Sequence, residues 1–271
     1  DVRVTSAPVV TATAGGTFNV DDMTICAKTL KNGALLNADA YAASSAGGLL
    51  LGATSTYSEA VSLDIVTAGL DNGSQVNSSG SVIVDANSVL ETRSEANSAA
   101  LGLIGAGEST ALARSDTTVL SRVGAGAQVS AQSLSVLSAG TASNLADTTA
   151  GSGGLVASAG AAPTTSTVAD VSSIIGDNAS VTLQTGAGSL AVSSTHIAKP
   201  NTYVVTASSG LIGGSGAEAL NTVSVDVTTR LGDEDADAAG AIIVAKDATL
   251  TATNNVIKSP DPLNNIDGDA G

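Results

Sequence analysis

The side chains that could perform acid–base or nucleophilic chemistry are few and far apart in the sequence. His196 is the only histidine and Cys26 the only cysteine among 271 residues. A Ser-His-Asp triad or a histidine metal site would therefore depend on His196 alone, and Cys26 has no histidine near it in the sequence. Lys199-Pro200 follows His196 closely and predicts a turn. We therefore expect His196 to be a surface residue rather than a catalytic one.

The metal site that the sequence suggests is a calcium site formed by acidic residues. The densest acidic turn holds Asp233, Glu234, Asp235 and Asp237, and a smaller group near the end holds Asp267 and Asp269. Calcium prefers oxygen ligands, and acidic turns can supply them. Neither group matches the Asp-x-Asp-x-Asn-Gly loop or the nonapeptide calcium repeat. We favour a solvated acidic turn, with a weak Ca²⁺ site at residues 233, 234, 235 and 237 as the alternative, and we expect no other cofactor.

Two further features are better explained by structure than by chemistry. A lone thiol excludes an internal disulfide, so we expect Cys26 to be a small, buried or half-buried apolar residue. Gly213-Gly214-Ser215-Gly216 is glycine-rich like a phosphate-binding loop, but no lysine and no helix follow it. We expect this segment to be a turn. Together these features predict that the chain is not an enzyme.

Composition predicts a thin core and an exposed, acidic surface. Hydrophobic residues make up 43% of the chain but aromatic residues only 1%, so Ala, Val, Leu and Ile must fill the interior. The net charge of −15 disfavours binding to nucleic acid or anionic lipid. No apolar run is long enough to span a membrane, and Asp1 opens the sequence without a signal peptide. An export signal, if used, was removed or lies outside this segment.

The sequence repeats itself with a period of about 54 residues. A Gly-Leu pair recurs at Gly48, Gly102, Gly154 and Gly210, with spacings of 54, 52 and 56 residues. A polar turn follows each pair, beginning at Leu70, Val123, Ile175 and Leu231, and an apolar strand follows each turn. We therefore predict an array over residues 1–258, with a partial unit at 1–47 and units at 48–101, 102–153, 154–209 and 210–258. Residues 259–271 are predicted to be an irregular tail or linker.

Within each unit, the residue pattern predicts strands. Thr222–Thr228 alternates strictly, which places Val223, Val225 and Val227 on one face. The alanine content of residues 94–103 permits a helix, but its Ser, Asn and flanking Gly residues favour a strand. A sandwich or membrane barrel normally uses aromatic residues, which are scarce here. The predicted fold is all-β, a parallel β-helix (β-solenoid). Two to three coils per unit would give roughly ten to fifteen coils over roughly 50–70 Å.

The repeats resemble those of a known family of bacterial surface proteins. The segments that carry the resemblance are residues 150–157, residues 208–217 and the turn at residues 175–181. They are similar to repeats of the filamentous haemagglutinin-like and leukotoxin-like giant adhesins, which Gram-negative bacteria export by two-partner secretion. The resemblance covers nearly all of residues 30–258 and implies a secreted β-helical shaft. It implies no particular ligand, and the amino-terminal secretion domain of such proteins is missing from this segment.

We therefore expect a structural segment of a secreted adhesin or extracellular filament that mediates attachment or reach at the cell surface. Its expected partners are neighbouring repeats, copies of itself stacked end to end, and an unidentified cell-surface receptor. One alternative is a self-assembling fibre subunit. A second alternative is a β-helical enzyme acting on polysaccharides, which we disfavour because the ten basic residues are scattered and no aromatic platform is evident.

Overall fold

The computed structural model describes residues 1–29, 37–184, 188–232, 240–257 and 268–270. Throughout these ranges the regular structure is β-strand, and no helix is present. The strands are β1 (Val2–Ser6), β2 (Val9–Ala14), β3 (Thr17–Val20), β4 (Met23–Thr29), β5 (Ala38–Gly47), β6 (Leu51–Leu70), β7 (Gln75–Ser78), β8 (Ser81–Leu101), β9 (Ile104–Val123), β10 (Gln128–Ala131), β11 (Ser133–Gly153), β12 (Val156–Ile175), β13 (Ser180–Leu183), β14 (Ser189–Ser209), β15 (Ile212–Ala217), β16 (Leu220–Leu231), β17 (Ile242–Val244), β18 (Asp247–Val256) and β19 (Gly268–Ala270).

The strands form three parallel sheets, and the chain visits each sheet once per coil. Sheet A contains β1, β2, β6, β9, β12, β15 and β16, and sheet C contains β4, β5, β8, β11, β14, β18 and β19. The short sheet B contains β3, β7, β10, β13 and β17. A coil runs along a long sheet A strand, turns through sheet B, and returns along a long sheet C strand. Sheets A and C are therefore the two broad faces of the molecule.

Each repeat forms a single coil. Leu51 pairs with Ile104, which pairs with Val156, so the chain advances 53 and then 52 residues from one level to the next. The prediction of a parallel β-helix is confirmed, but the prediction of two to three coils per repeat is wrong. The reason is that the strands are longer than two or three coils per repeat would allow, since they run for 20 or 21 residues without interruption. Such strands are about 66 Å long, so the described coils are broad and flat.

The interior changes character from one edge to the other. Beside sheet B the core holds larger aliphatic side chains, such as Leu70, Val82 and Leu134, all fully buried. Towards the opposite edge the buried residues are alanines, among them Ala96 and Ala111, accompanied by serine and threonine. The core thus becomes thinner away from sheet B. As predicted, Ala, Val, Leu and Ile supply the buried apolar side chains, with Phe18 partly buried against them. Val223, Val225 and Val227 face inward as the alternation indicated.

Buried serines join the two broad sheets across this core. Each donates its hydroxyl proton to a backbone carbonyl of the facing sheet, over 2.6–2.9 Å: Ser58 to Ala40, Ser94 to Ser58, Ser109 to Thr149, Ser138 to Ser172, Ser173 to Ser193 and Ser194 to Thr228. A side chain this short reaches the opposite backbone only when the sheets lie closer than the usual ~10 Å. The hydroxyls of these six serines are thereby satisfied without water.

The polar turns between sheets A and B stack on one another. Gly73, Gly126 and Asn178 occupy the same turn position in successive coils and have φ angles of 69°, 67° and 55°. This left-handed conformation explains why glycine or asparagine recurs there. The sequence prediction of these turns is confirmed. The Gly213–Gly216 segment, predicted to be a turn, instead lies within strand β15 because it pairs with β12.

At the opposite edge, where sheet C turns back into sheet A, glycines stack at the Gly-Leu pairs. A Cβ atom added to Gly154 would lie 2.1 Å from the carbonyl oxygen of Gly102, and one added to Gly102 would lie 2.7 Å from the amide nitrogen of Gly52. These neighbours are backbone atoms and cannot rotate away. The pair recurs because the edge turns of successive coils approach too closely for any side chain.

Gly154→Ala should therefore destabilise the protein by about 1–3 kcal/mol, the usual cost of overpacking. The matched control is Gly160→Ala, since a Cβ atom added at Gly160 meets nothing within 4 Å; its effect should stay within about 0.5 kcal/mol. Urea denaturation of the two variants measures both values. Equal stability of the two variants would contradict the stacked-glycine edge.

Candidate functional site

The outer face of sheet C carries one column of chemically distinctive side chains. Tyr41 on β5 pairs with Glu95 on β8, Glu95 pairs with Asp147 on β11, and Asp147 pairs with Tyr203 on β14. Because paired residues of parallel strands lie one level apart, each is about 4.8 Å from the next along the stack. We call these four residues the Tyr–Glu–Asp–Tyr column.

Glu95 is held in place by two neighbours on its own strand. Arg93 Nη2 donates to Glu95 Oε2 over 2.7 Å, and Asn97 Nδ2 donates to Glu95 Oε1 over 3.0 Å. The same amide nitrogen of Asn97 lies 3.5 Å from Tyr41 Oη. Both carboxylate oxygens are therefore engaged, which fixes the orientation of Glu95.

The next carboxyl group in the column, Asp147, has a raised pKa. Burial, followed by the negative charge of Glu95, raises the pKa of Asp147 to about 6, while the positive charge of Arg93 acts in the opposite direction. A carboxyl group in this range exchanges its proton near neutral pH. The column therefore combines an oriented carboxylate with a neighbouring carboxyl that can donate or accept a proton.

A shallow depression lies beside the column on the same face. Its volume is about 360 Å³, and it is lined by Ala43, Ser44, Ser45, Asn97, Ser98, Ala99 and Thr149. Asn97 belongs to both features, since it lines the depression and also bonds Glu95. The depression offers small side chains and hydroxyls close to Tyr41, which lies two residues before Ala43 on β5 and is 56% exposed. Such a surface suits a flat, hydroxyl-bearing ligand that stacks and accepts hydrogen bonds.

Sequence reasoning missed this site because its members are 54, 52 and 56 residues apart. Each residue alone is unremarkable, and only the pairing register brings the four together. The signal was nonetheless present: aligning the repeats at their Gly-Leu pairs places all four in one alignment column.

The structure corrects the prediction for His196. The residue is fully buried within β14, which also contains Lys199 and Pro200, so the predicted surface turn is wrong. Its ring packs over Gly140 of the coil below, where an added Cβ atom would lie 3.0 Å from His196 Cδ2. His196 Nδ1 lies 3.4 Å from Asn254 Oδ1, and Nε2 has no hydrogen-bond partner. Burial lowers the pKa of His196, although the contact with Asn254 partly opposes this effect.

The remaining predicted site residues have different outcomes. Cys26 is exposed on the outer face of β4, so the expectation of a buried or half-buried thiol is wrong. The proposed calcium ligands Asp233, Glu234, Asp235 and Asp237 lie outside the described residues. Within the part of the chain that the structure describes, no group of three or more His, Cys, Asp or Glu side chains could hold a metal ion.

The fold and this surface define a parallel β-solenoid with broad, flat coils. Comparison with protein-family models, curated proteins and solved structures found no match. Across the described ranges, no helix has the length and apolar character needed to cross a membrane.

The burial of His196 predicts a specific dependence of stability on pH. Because its folded-state pKa is lowered, the unfolded chain binds the proton more tightly, and protonation favours unfolding. The free energy of unfolding should fall as the pH drops below about 6.5, by up to about 1.4 kcal/mol per pH unit. Above that pH, His196 should have no effect.

His196→Leu isolates this contribution, since Asp147 titrates with the opposite sign and is unchanged by the substitution. Urea denaturation at pH 7.5 and pH 5 should show a larger loss of stability for the natural chain than for the variant. The same pH dependence in both proteins would show that His196 is accessible to solvent.

Proposed function

We propose that the chain is a structural segment of a secreted bacterial surface adhesin or extracellular filament, and that it mediates attachment. The single observation that carries the proposal is the in-register stacking of near-identical coils, because a surface protein built of repeats needs no buried reaction site. Strands β8, β11 and β14 pair along 21 residues each, so every level is bonded to the next across the whole width.

The coil geometry is better suited to presenting a surface for attachment than to extending a long distance from the cell. Each repeat of about 54 residues adds one level, or about 4.8 Å, to the length of the stack. The same repeat adds strips about 66 Å wide to each broad face. The chain thus gains surface far more efficiently than length, which suits a protein that presents contacts.

The Tyr–Glu–Asp–Tyr column is the contact point that we assign to this attachment, and a neutral glycan is the ligand class. Tyrosine rings offer apolar faces to the CH groups of a sugar, and the carboxylates accept hydrogen bonds from its hydroxyls. Acidic glycans are disfavoured because the column is anionic and the chain carries a net charge of −15.

Calorimetric titration with neutral tetrasaccharides of glucose, galactose and mannose tests this assignment. Tyr41→Ala and Tyr203→Ala should each weaken binding about fivefold to tenfold, because each removes one stacking ring. Tyr57→Ala is the matched control, since Tyr57 lies on sheet A with Arg3 over its ring and Glu59 at its hydroxyl. An equal loss of affinity in Tyr57→Ala would contradict the glycan assignment. So would the absence of binding to any of the three sugars.

One observation favours the polysaccharide-acting enzyme as a second candidate. Asp147, with its raised pKa, lies beside the oriented carboxylate Glu95, and glycosidases cleave glycosidic bonds with such a pair of carboxyl groups. Formation of new reducing ends from a neutral polysaccharide, abolished by Glu95→Gln, would favour the enzyme. Binding without turnover would favour attachment.

A further inference from the structure

An apolar ridge runs along the edge where sheet C turns back into sheet A. At each Gly-Leu turn the side chains after the glycine point outward, and Leu49 is 93%, Leu50 68% and Leu211 82% exposed. Leu103 and Leu155 continue the ridge on the two levels in between, and Ile212 lies next to Leu211. Exposed aliphatic side chains scattered singly need no explanation, but a contiguous row of them marks a contact surface.

The ridge is free of charge, although the chain as a whole is strongly acidic. Residues 47–53, 101–106, 153–158 and 209–217 contain no Asp, Glu, Lys or Arg, whereas the net charge of the chain is −15. Two copies of an acidic protein repel each other over most of their surface. They can approach at least cost along an edge that carries no charge.

A groove lies directly beside the ridge on the outer face of sheet A. It has a volume of about 770 Å³, and small residues from four successive levels line it, including Ala53, Ala106, Ser158 and Gly216. The ridge is therefore convex, the groove is concave, and both run along the stack with the same spacing of about 4.8 Å per level. Glu108 and Glu218 also line the groove, so the groove, unlike the ridge, carries negative charge, which salt screens.

We propose that the ridge of one molecule docks into the groove of a second copy, so that two solenoids pair side by side about a two-fold axis. A two-fold interface uses the same surface on both partners and must be self-complementary. An adjacent ridge and groove satisfy this requirement, because each molecule supplies both. A second copy is also the partner whose side chains repeat with the same spacing.

The chemistry of the edge argues against a lipid surface as the occupant. Proteins that insert into membrane interfaces use tryptophan and tyrosine there, together with basic residues that meet anionic headgroups. The four segments of the ridge contain neither aromatic nor basic residues. The acidic chain would in addition be repelled by anionic lipid.

The ridge crosses four described levels, or about 14 Å from first to last, so the interface is small and the pairing is weak. Pairing should strengthen as salt is added, because the net negative charges are screened while apolar contacts are not weakened. An interface held by ion pairs would show the reverse dependence.

Sedimentation equilibrium of the 271-residue chain, with reducing agent present because Cys26 is exposed, tests the proposal. We expect a monomer–dimer equilibrium that tightens between low and high salt. Leu50→Asp combined with Leu211→Asp should weaken it at least tenfold. Ala106→Trp, which fills the groove, should weaken it to a similar extent. Val9→Asp is the matched control, since Val9 is 67% exposed but lies away from the edge, and it should leave pairing unchanged.

Circular dichroism of each variant checks that it keeps its β structure, and the groove variant keeps the test valid if the charged ridge variant misfolds. A chain that stays monomeric up to about 1 mM at high salt would overturn the proposal. So would pairing that neither the ridge nor the groove variant weakens, or binding to phosphatidylcholine vesicles that the ridge variant abolishes while the free chain remains monomeric.

Discussion

The close approach of sheets A and C is the constraint on which the rest of the structure depends. Large side chains would hold the sheets apart, whereas serine and alanine let each sheet approach the backbone of the other. Ser138 and Ser173 then donate to carbonyls on opposite sides of the same core. A buried hydroxyl without such a partner would cost about 1–3 kcal/mol, so the hydroxyl ladder both requires and stabilises the narrow spacing.

This spacing explains the flat coil and its functional surface. Two sheets that pack so closely can run side by side for 20 residues without large core residues between them, so one repeat closes one coil. Residues at equivalent repeat positions then align on the outer faces. The Tyr–Glu–Asp–Tyr column is such an alignment, and the ridge at the Gly-Leu edge is another. Inside the core, the same alignment places Gly140 against His196, and the missing side chain of Gly140 leaves room for the imidazole ring.

The sequence predicted the fold class, the repeat period and the polar turns, because alternation and the recurrence of Gly73, Gly126 and Asn178 depend on local geometry. It did not predict the coil size, since Ser and Thr are compatible with both turns and narrow cores. It also misplaced His196, because Lys199-Pro200 resembles a turn unless the pairing of Pro200 with Asn144 is known. The Tyr–Glu–Asp–Tyr column was not predicted, because it depends on the pairing register between coils, which the sequence of a single repeat does not specify.

A distance between the first and last levels tests the one-coil-per-repeat account most directly. Arg3 and Leu220 are exposed residues related by four successive pairings, through Glu59, Leu112 and Thr164. Spin labels at cysteines introduced at positions 3 and 220, with Cys26→Ser to remove the exposed thiol, report this distance by pulsed electron paramagnetic resonance. The account predicts a Cα separation of about 19 Å. A separation of about 38–58 Å, expected if each repeat held two or three coils, would contradict it.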